Sequence, residues 1–361
     1  MPVTGRNEVK EVKEDAELLG LLEKASKTYS ENFKDEAWLG RCIFLSWYCS
    51  LGNCDFCYRS TQKHKIKHAA SARRRKESIY TEAFIIKNFK WRLEFLTGGY
   101  GIYPYEDLLE ITKNVSDILD EKIWLNMGVL SRQQLEELKP YVEGVVASVE
   151  SLTPWVRKKA CPGKPLGPFE HMLKNAKDLG IKRSITIVLG LGETLEEYSY
   201  VKDFISKHDL DRITFYSLRP VFGTPYEHGP EPEYVAKWIA KTRIDYPKIE
   251  IIAGTAETRI PEIKYLLRAG ANAITKIPAT KIFGTTGAEK ISEEIRIAGR
   301  TFTSELVNLK KPEWNEHIAR TSLPSEMKEN VKKKIVDYEE YTLKKSYGPF
   351  KTISACEPCQ S

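Results

Sequence analysis

The chain has 361 residues, 41% of them apolar, and carries a formal net charge of +6. This composition excludes a globally disordered chain, and the mild positive charge permits an anionic partner without requiring one. No run approaches the roughly 20 apolar residues of a membrane span, and the charged first twenty residues lack the apolar centre of a signal peptide. We therefore expect a cytoplasmic protein that does not contact the membrane.

Short runs rich in Val, Ile and aromatic residues alternate with amphipathic stretches from about residue 41 to residue 300. Each short run predicts a buried strand and each amphipathic stretch predicts a helix. The predicted strands are 41–47, 92–99, 122–128, 144–150, 183–191, 212–218, 249–257 and 272–278. The predicted helices are 77–90, 104–119, 131–140, 168–179, 194–207, 231–243, 259–269 and 285–298.

Eight strand–helix units in strict alternation indicate a parallel sheet. Eight units within about 260 residues favour an α/β fold of the closed (βα)8 TIM type over a doubly wound open sheet. We divide the chain into an N-terminal helical extension (1–40), a barrel domain (41–300), and a C-terminal helical extension with a tail (301–361). Functional sites of such barrels form where the strands end, so polar residues at those ends are the candidates.

Three of the seven cysteines follow the first predicted strand in the segment SWYCSLGNCDFCYRS. Cys49, Cys54 and Cys57 have the spacing C-x4-C-x2-C. A structural zinc site needs four ligands, which Cys42 or the tail pair Cys356 and Cys359 would have to complete. A [4Fe-4S] cluster held by three thiolates instead leaves one iron open for a ligand. The spacing favours the cluster and leaves the zinc site as an alternative.

The triplet, with Phe56 just before its last cysteine, resembles the motif of radical S-adenosylmethionine (SAM) enzymes. The resemblance implies that the three cysteines hold a [4Fe-4S] cluster and that its open iron binds the amine and carboxylate of SAM. It further implies that an electron from the cluster splits SAM into methionine and a 5′-deoxyadenosyl radical. That radical abstracts a substrate hydrogen, so no conventional acid or base needs to start the reaction.

Other segments carry the same resemblance and imply the residues that bind SAM. Gly98 and Gly99 resemble the glycine segment that meets the SAM ammonium, although Tyr100 replaces the usual acid. Glu150 resembles the carboxylate that holds the ribose hydroxyls, and Phe56, Val188 and Leu189 fall in segments that flank the adenine. Related enzymes pair the SAM carboxylate with an arginine after strand four. Here His171 takes that place in the sequence, with Arg157 and Lys174 nearby.

The order of these motifs resembles the group of biotin synthase, HydE and the pyrrolysine maturase. Within that group, CYRSTQ, RRRKESIYTEA and TGGYGIYP most resemble the HmdB (HcgA) family. That family contributes to the iron-guanylylpyridinol cofactor of [Fe]-hydrogenase and typically has five residues in the first cysteine gap, where this chain has four. The resemblance implies a small-molecule substrate and an electron donor such as a ferredoxin or flavodoxin.

Polar residues on the later strands are the candidates for substrate contact, because buried polar groups need a partner. These candidates are Tyr216, Arg219, Glu257, Arg259 and Lys276. Some of them are equally expected to pair with one another as interior salt bridges. Cys161 is expected to be structural, and the C-terminal pair to lie in a mobile tail.

A second hypothesis keeps the radical chemistry and changes the substrate to RNA. Residues 63–76 contain seven Lys and Arg and no acid, which would suit a phosphate backbone. We see no separate RNA-binding module, so a nucleic-acid partner is not expected. A third hypothesis is a non-enzymatic protein stabilised by zinc.

Overall fold

The protein forms a closed parallel barrel in the computed structural model, which describes Val9, Val12 and residues 14–307 and 313–346. Strands β2 to β8 pair in sequence order, and β1 closes the ring by pairing with both β8 and β2. This confirms the predicted TIM-type fold. The strands are β1 Glu36–Phe44, β2 Arg92–Thr97, β3 Ile123–Asn126, β4 Val142–Glu150, β5 Lys182–Leu189, β6 Arg212–Ser217, β7 Glu250–Gly254, β8 Ala273–Thr275 and β9 Thr301–Phe302.

Helices cover the outside of the barrel, which explains why the strands are apolar on both faces; β3, for example, is buried at all four positions. The helices are α1 Ala16–Asn32, α2 Tyr58–Thr61, α3 Lys76–Asn88, α4 Tyr105–Leu119, α5 Arg132–Leu138, α6 Pro154–Ala160, α7 Leu166–Asp178, α8 Tyr198–His208, α9 Pro232–Asp245, α10 Ile263–Arg268, α11 Ala279–Ile282, α12 Thr286–Ile297, α13 Trp314–Arg320 and α14 Ser325–Ser346. Short 3-10 turns lie at Ala69–Ala72, Leu195–Glu197 and Glu257–Glu262.

Local sequence signals set the ends of these helices. Ser131 and Gln134 form a capping box that starts α5, and Pro232 occupies the first turn of α9. Gly180 and Gly270 adopt φ values of 68° and 97° after α7 and α10, a conformation that glycine adopts without steric cost. Capping residues, prolines and glycines therefore mark the ends of helices whose order periodicity predicts.

The barrel departs from the predicted elements at its first strand and after its fourth. β1 begins at Glu36, five residues earlier than predicted, because its first residues pair with β9 outside the ring. The extra helix α6 separates β4 from α7. The first departure comes from strand pairing between distant segments, which sequence periodicity does not report.

The extensions pack on the outside of the barrel wall. Helix α1 buries Leu18, Leu22 and Ala25 and packs against α9 and α10, while α14 packs against α3. None of the helices in the described ranges is long and apolar enough to cross a membrane.

Candidate functional site

A cavity of about 410 Å³ opens at the carboxyl ends of the strands. Its lining includes all three motif cysteines, Gly98, Gly99 and Glu150. Residues that are up to about a hundred positions apart in the sequence therefore share one space. The volume falls within the usual range of small-molecule sites.

A larger cavity of about 930 Å³ lies at the opposite end of the barrel. Four of its charged residues form two ion pairs: Arg212 binds Glu250, and Lys182 lies 2.5 Å from Glu143. Active sites of these barrels form at the carboxyl ends of the strands, whereas the amino ends serve stability. We therefore assign the smaller cavity as the functional site.

The cysteine loop and the end of β2 approach each other closely. A Cβ atom on Gly99 would lie 2.0 Å from the carbonyl oxygen of Tyr48 and 2.6 Å from the Cβ of Cys49. The backbone N–H of Tyr100 donates to the Cys49 sulfur at 3.5 Å. The glycine is required here because any side chain would separate the two loops.

Cys161 lies beside Cys54 and was not expected at the site from the sequence. Both pack with Val188 and Leu218 in one apolar cluster, and Asp55 N–H donates to the Ala160 carbonyl at 3.0 Å. A hydrogen bond from the Cys161 thiol lowers the pKa of Cys54, which favours the thiolate that a metal ligand must supply. Burial raises the pKa of Cys57.

The arrangement of the three thiols fits an iron–sulfur cluster better than a single metal ion. Within residues 14–307 and 313–346, no group of three His, Cys, Asp or Glu side chains converges closely enough to hold one ion. A cluster needs the thiolates only around a larger common centre, because each thiolate binds a different iron. The zinc alternative is weakened further by Cys42, whose thiol donates to the Glu94 carboxylate at 2.9 Å inside the barrel. The tail cysteines lie outside the described residues.

Glu150 ends β4 in the left-handed region, with φ of 62°, and its carboxylate is buried in the cavity. The Lys164 ammonium binds it at 2.6 Å, and both side chains are nearly buried. Burial would lower the pKa of Lys164, but Glu150 and Cys54 raise it above its usual value, so the lysine is charged. Strained backbone that persists at a cavity is typical of functional positions.

The structure brings most of the predicted cofactor-binding residues to this cavity, but not His171. Phe56 and Val188 line it, whereas Leu189, the next residue of β5, is fully buried and is not among the lining residues, since successive strand residues face opposite sides. His171 lies exposed on α7, outside the cavity, and Lys174 is exposed on the same helix. Arg157 is buried but donates to backbone carbonyls, including that of Ser151 at 3.3 Å. Lys164, by contrast, lines the cavity and contacts Glu150 directly.

The predicted substrate residues divide into two sets. Tyr216, Arg219 and Lys276 line the cavity. Arg259 instead forms a buried salt bridge with Glu262 at 2.6 Å, and Glu257 is exposed in a different pocket. The last two are placed away from the cavity because strand β7 ends at Gly254 and the chain then turns outward.

Four of the seven Lys and Arg side chains in the segment 63–76 contact the rest of the protein, whereas Lys65, Lys67 and Arg75 are exposed. Arg73 donates to the Ile102 carbonyl at 2.5 Å and lies over the Tyr103 ring. Arg74 donates to the Phe44 carbonyl and pairs with Glu82, and Lys76 pairs with two acids of α4. These contacts hold α3 and the loops around the cysteines together, which weakens the RNA hypothesis.

The closed parallel barrel with three thiols at the mouth of a cavity is the arrangement expected of a TIM-barrel enzyme that holds a metal cluster. Residues 45–205 match the family model of the Radical SAM superfamily, and residues 214–300 match the Biotin and Thiamin Synthesis associated domain. The chain belongs to the radical SAM superfamily and is a radical SAM enzyme, a class that uses a [4Fe-4S] cluster and SAM.

The chain is similar to proteins of known and unknown function. An uncharacterised protein of Methanocaldococcus jannaschii is 39% identical, covering 91% of this chain and 96% of its own length. The 3-methylornithine synthase of Methanosarcina acetivorans is 25% identical, and the match covers 78% of this chain and 81% of the synthase. The crystal structure of methylornithine synthase (PylB) superposes with a TM-score of 0.67 at 22% identity, covering 80% of this chain and 90% of that one. The structure of the FeFe-hydrogenase maturase HydG from Carboxydothermus hydrogenoformans superposes with a TM-score of 0.65 at 18% identity, covering 92% of this chain and 87% of that one. The two structures show the same fold.

Proposed function

We propose that this enzyme acts on a small molecule in the biosynthesis of the pyridinol cofactor of [Fe]-hydrogenase. The proposed radical SAM chemistry in this cavity is supported by one observation: the cysteine loop, the glycine pair and Glu150 all line it. The pyridinol part rests on the resemblance to the HmdB family. A ferredoxin or flavodoxin is the proposed electron donor.

Each lining residue has a proposed task. Cys49, Cys54 and Cys57 hold the cluster, which when loaded supplies the electron that cleaves SAM. The backbone of Gly98 and Gly99 meets the SAM ammonium. The Glu150 carboxylate accepts from the ribose hydroxyls, because it offers acceptors to two donors at once.

Two further contacts complete the proposed SAM site. Phe56 and Val188 cover the adenine from the apolar side of the cavity. Lys164 takes the role first given to His171, since its ammonium has three N–H donors and Glu150 uses one of them. The remaining donors are proposed to meet the SAM carboxylate.

The segments that resemble the HmdB family pack together around the cysteine loop. Arg59, from CYRSTQ, donates to the Ser46 carbonyl at 3.3 Å, and Ser46 bridges to Arg73 of the next segment. The Tyr103 hydroxyl, from TGGYGIYP, donates to the Arg74 carbonyl at 2.6 Å. The three segments contact one another beside the site, although residues 73–83 do not line the cavity, and this packing supports treating them as a unit.

The pyridinol assignment is tested by complementation. A methanogen that lacks its own HmdB protein should regain the cofactor, measured by mass spectrometry, when it receives this chain. The Cys54→Ala variant should not restore it. If wild type cleaves SAM in vitro but never restores the cofactor, the enzyme class stands and the pathway is a different one.

Glu150→Gln is expected to weaken SAM binding roughly tenfold to a hundredfold, because the ribose loses a charged acceptor. The same change leaves the Lys164 charge buried without its partner, at a cost of about 3–5 kcal/mol in stability. Equilibrium dialysis with SAM and a thermal melt measure the two effects separately.

The double variant Glu150→Gln/Lys164→Met is the matched control for that experiment. It removes the stranded charge, so stability should recover in part while SAM binding stays weak. A double variant that regains both stability and SAM affinity would contradict the role of Glu150 in binding.

A further inference from the structure

A ring of small polar side chains surrounds the lower part of the cavity. One polar residue lies at or near the carboxyl end of each strand from β2 to β7, and Lys276 directly follows β8. The neutral members are Thr97, Asn126, Ser148, Thr186, Ser217 and Thr255. Since strand ends of a barrel point toward one mouth, these groups face the same space.

Two members of the ring have hydrogen-bonding capacity left for a ligand. The Ser217 hydroxyl is buried and has no hydrogen-bond partner within the described part of the chain. Ser148 Oγ donates to Asn126 Oδ1 at 2.7 Å, which leaves the Asn126 amide N–H groups to donate elsewhere. A buried hydroxyl without a partner is costly, so a polar ligand atom at this position would relieve it.

Lys276 is the cation of the ring, and its backbone is held in the left-handed region at φ of 67°. Its ammonium lies 4.6 Å from the centre of the Tyr216 ring and 5.1 Å from that of Phe44. In the residues that the structure describes, it makes no ion pair; its one hydrogen-bond contact is the Cys42 sulfur at 3.5 Å.

Within the described residues, the nearby Glu94 forms no direct ion pair with this lysine, since the Cys42 sulfur lies between them. The Glu94 carboxylate is fully buried and accepts from the Cys42 thiol and from the hydroxyls of Tyr216 and Thr275. Among the described residues that line the cavity, Glu150 is the one carboxylate, and it is paired with Lys164. The Lys276 ammonium is therefore available to an anionic ligand.

We propose that the substrate is a small carboxylic acid whose carboxylate binds Lys276 and whose neutral polar groups meet Asn126 and Ser217. This rests on the proposed function, which places the substrate in the cavity with SAM. Within the ring, Lys276 is the single cation among neutral side chains, which matches a carboxylate of charge −1; Arg59 and Arg219 also line the cavity but are not members of the ring. A phosphate group would be expected to have several N–H donors or an arginine fork around it.

Radiolabelled benzoate and benzamide make a matched pair of probes, alike in shape and different in charge. Equilibrium dialysis is run on the cluster-loaded, unreduced enzyme with SAM present, so that no turnover occurs. Wild type should bind benzoate about tenfold or more tightly than benzamide, and Lys276→Met should abolish that preference. Lys276→Arg should keep part of it, and Lys174→Met, on the outer face of α7, should keep all of it.

Several results would overturn the proposal. These are equal binding of the two probes by wild type, no benzoate binding at millimolar concentration, an unchanged preference in Lys276→Met, or displacement of benzoate by inorganic phosphate more readily than by acetate. SAM cleavage is measured separately on the same preparation. Cleavage without benzoate preference rejects only the substrate class, whereas preference without cleavage rejects only the proposed radical chemistry.

Discussion

Replacing Cys54 by alanine is expected to abolish both the iron–sulfur cluster and the cleavage of SAM. With two thiolates remaining, one iron of the cluster loses its protein ligand. After anaerobic reconstitution with iron and sulfide, wild type should carry about four irons per chain and, with dithionite, form 5′-deoxyadenosine. The variant should carry little iron and form none. Iron analysis and liquid chromatography provide the two measurements.

Cys161→Ala is the matched control, because this thiol lies beside Cys54 without belonging to the motif. It should retain the cluster, since the three ligands are intact. If Cys161→Ala also lost all iron, Cys161 would itself be a ligand. The cluster would then have four cysteine ligands and no open iron to bind SAM. If wild type bound one zinc and left SAM intact, the radical assignment would fail.

Periodicity predicted the barrel well because each of its units is local. A buried run of β-branched residues, an amphipathic helix and a glycine stop lie within about 30 residues of one another, and the ring repeats that unit. What periodicity did not predict is pairing between distant segments. The early start of β1 depends on β9, more than 250 positions away, and nothing near Glu36 signals it.

Residues of the candidate site that belong to a recognisable motif were predictable from the sequence. Residues that reach the site only through the fold were not. The cysteines, Gly98, Gly99 and Glu150 were found in this way. Lys164 and Cys161 were not, because the loop ACPGKP has no distinctive spacing and reaches the cavity only through α6. His171 was misplaced since its position in the sequence said nothing about which face of α7 it occupies.

The buried network around Glu94 was missed for a related reason. Its members lie on four different strands, and each alone looks like an ordinary strand residue: Cys42, Glu94, Tyr216 and Thr275. The one available signal was a carboxylate in the middle of the apolar run RLEFL, which a fully buried strand carries only when other groups satisfy it.

Gly99→Ala is expected to disrupt the site almost as severely as the loss of a cysteine. The added methyl would lie 2.0 Å from the Tyr48 carbonyl oxygen and 2.7 Å from the Cys49 Cα, both of them backbone atoms. Neither can rotate away, so the β2 loop and the cysteine loop must separate. Overpacking of this kind costs about 1–3 kcal/mol or more, which corresponds to roughly tenfold or greater loss of cluster affinity.

Gly98→Ala separates this steric effect from a general intolerance of side chains in the β2 loop. Its methyl would meet Ile102 Cδ1 at 2.2 Å, which is the far end of a flexible side chain that can adopt another rotamer. Iron content after reconstitution should therefore fall sharply in Gly99→Ala and only slightly in Gly98→Ala. Equal losses would show that the cluster depends on the glycine pair as a whole. Full iron content in Gly99→Ala would mean that the two loops do not need to touch, and that the cysteine loop holds its cluster without support from β2.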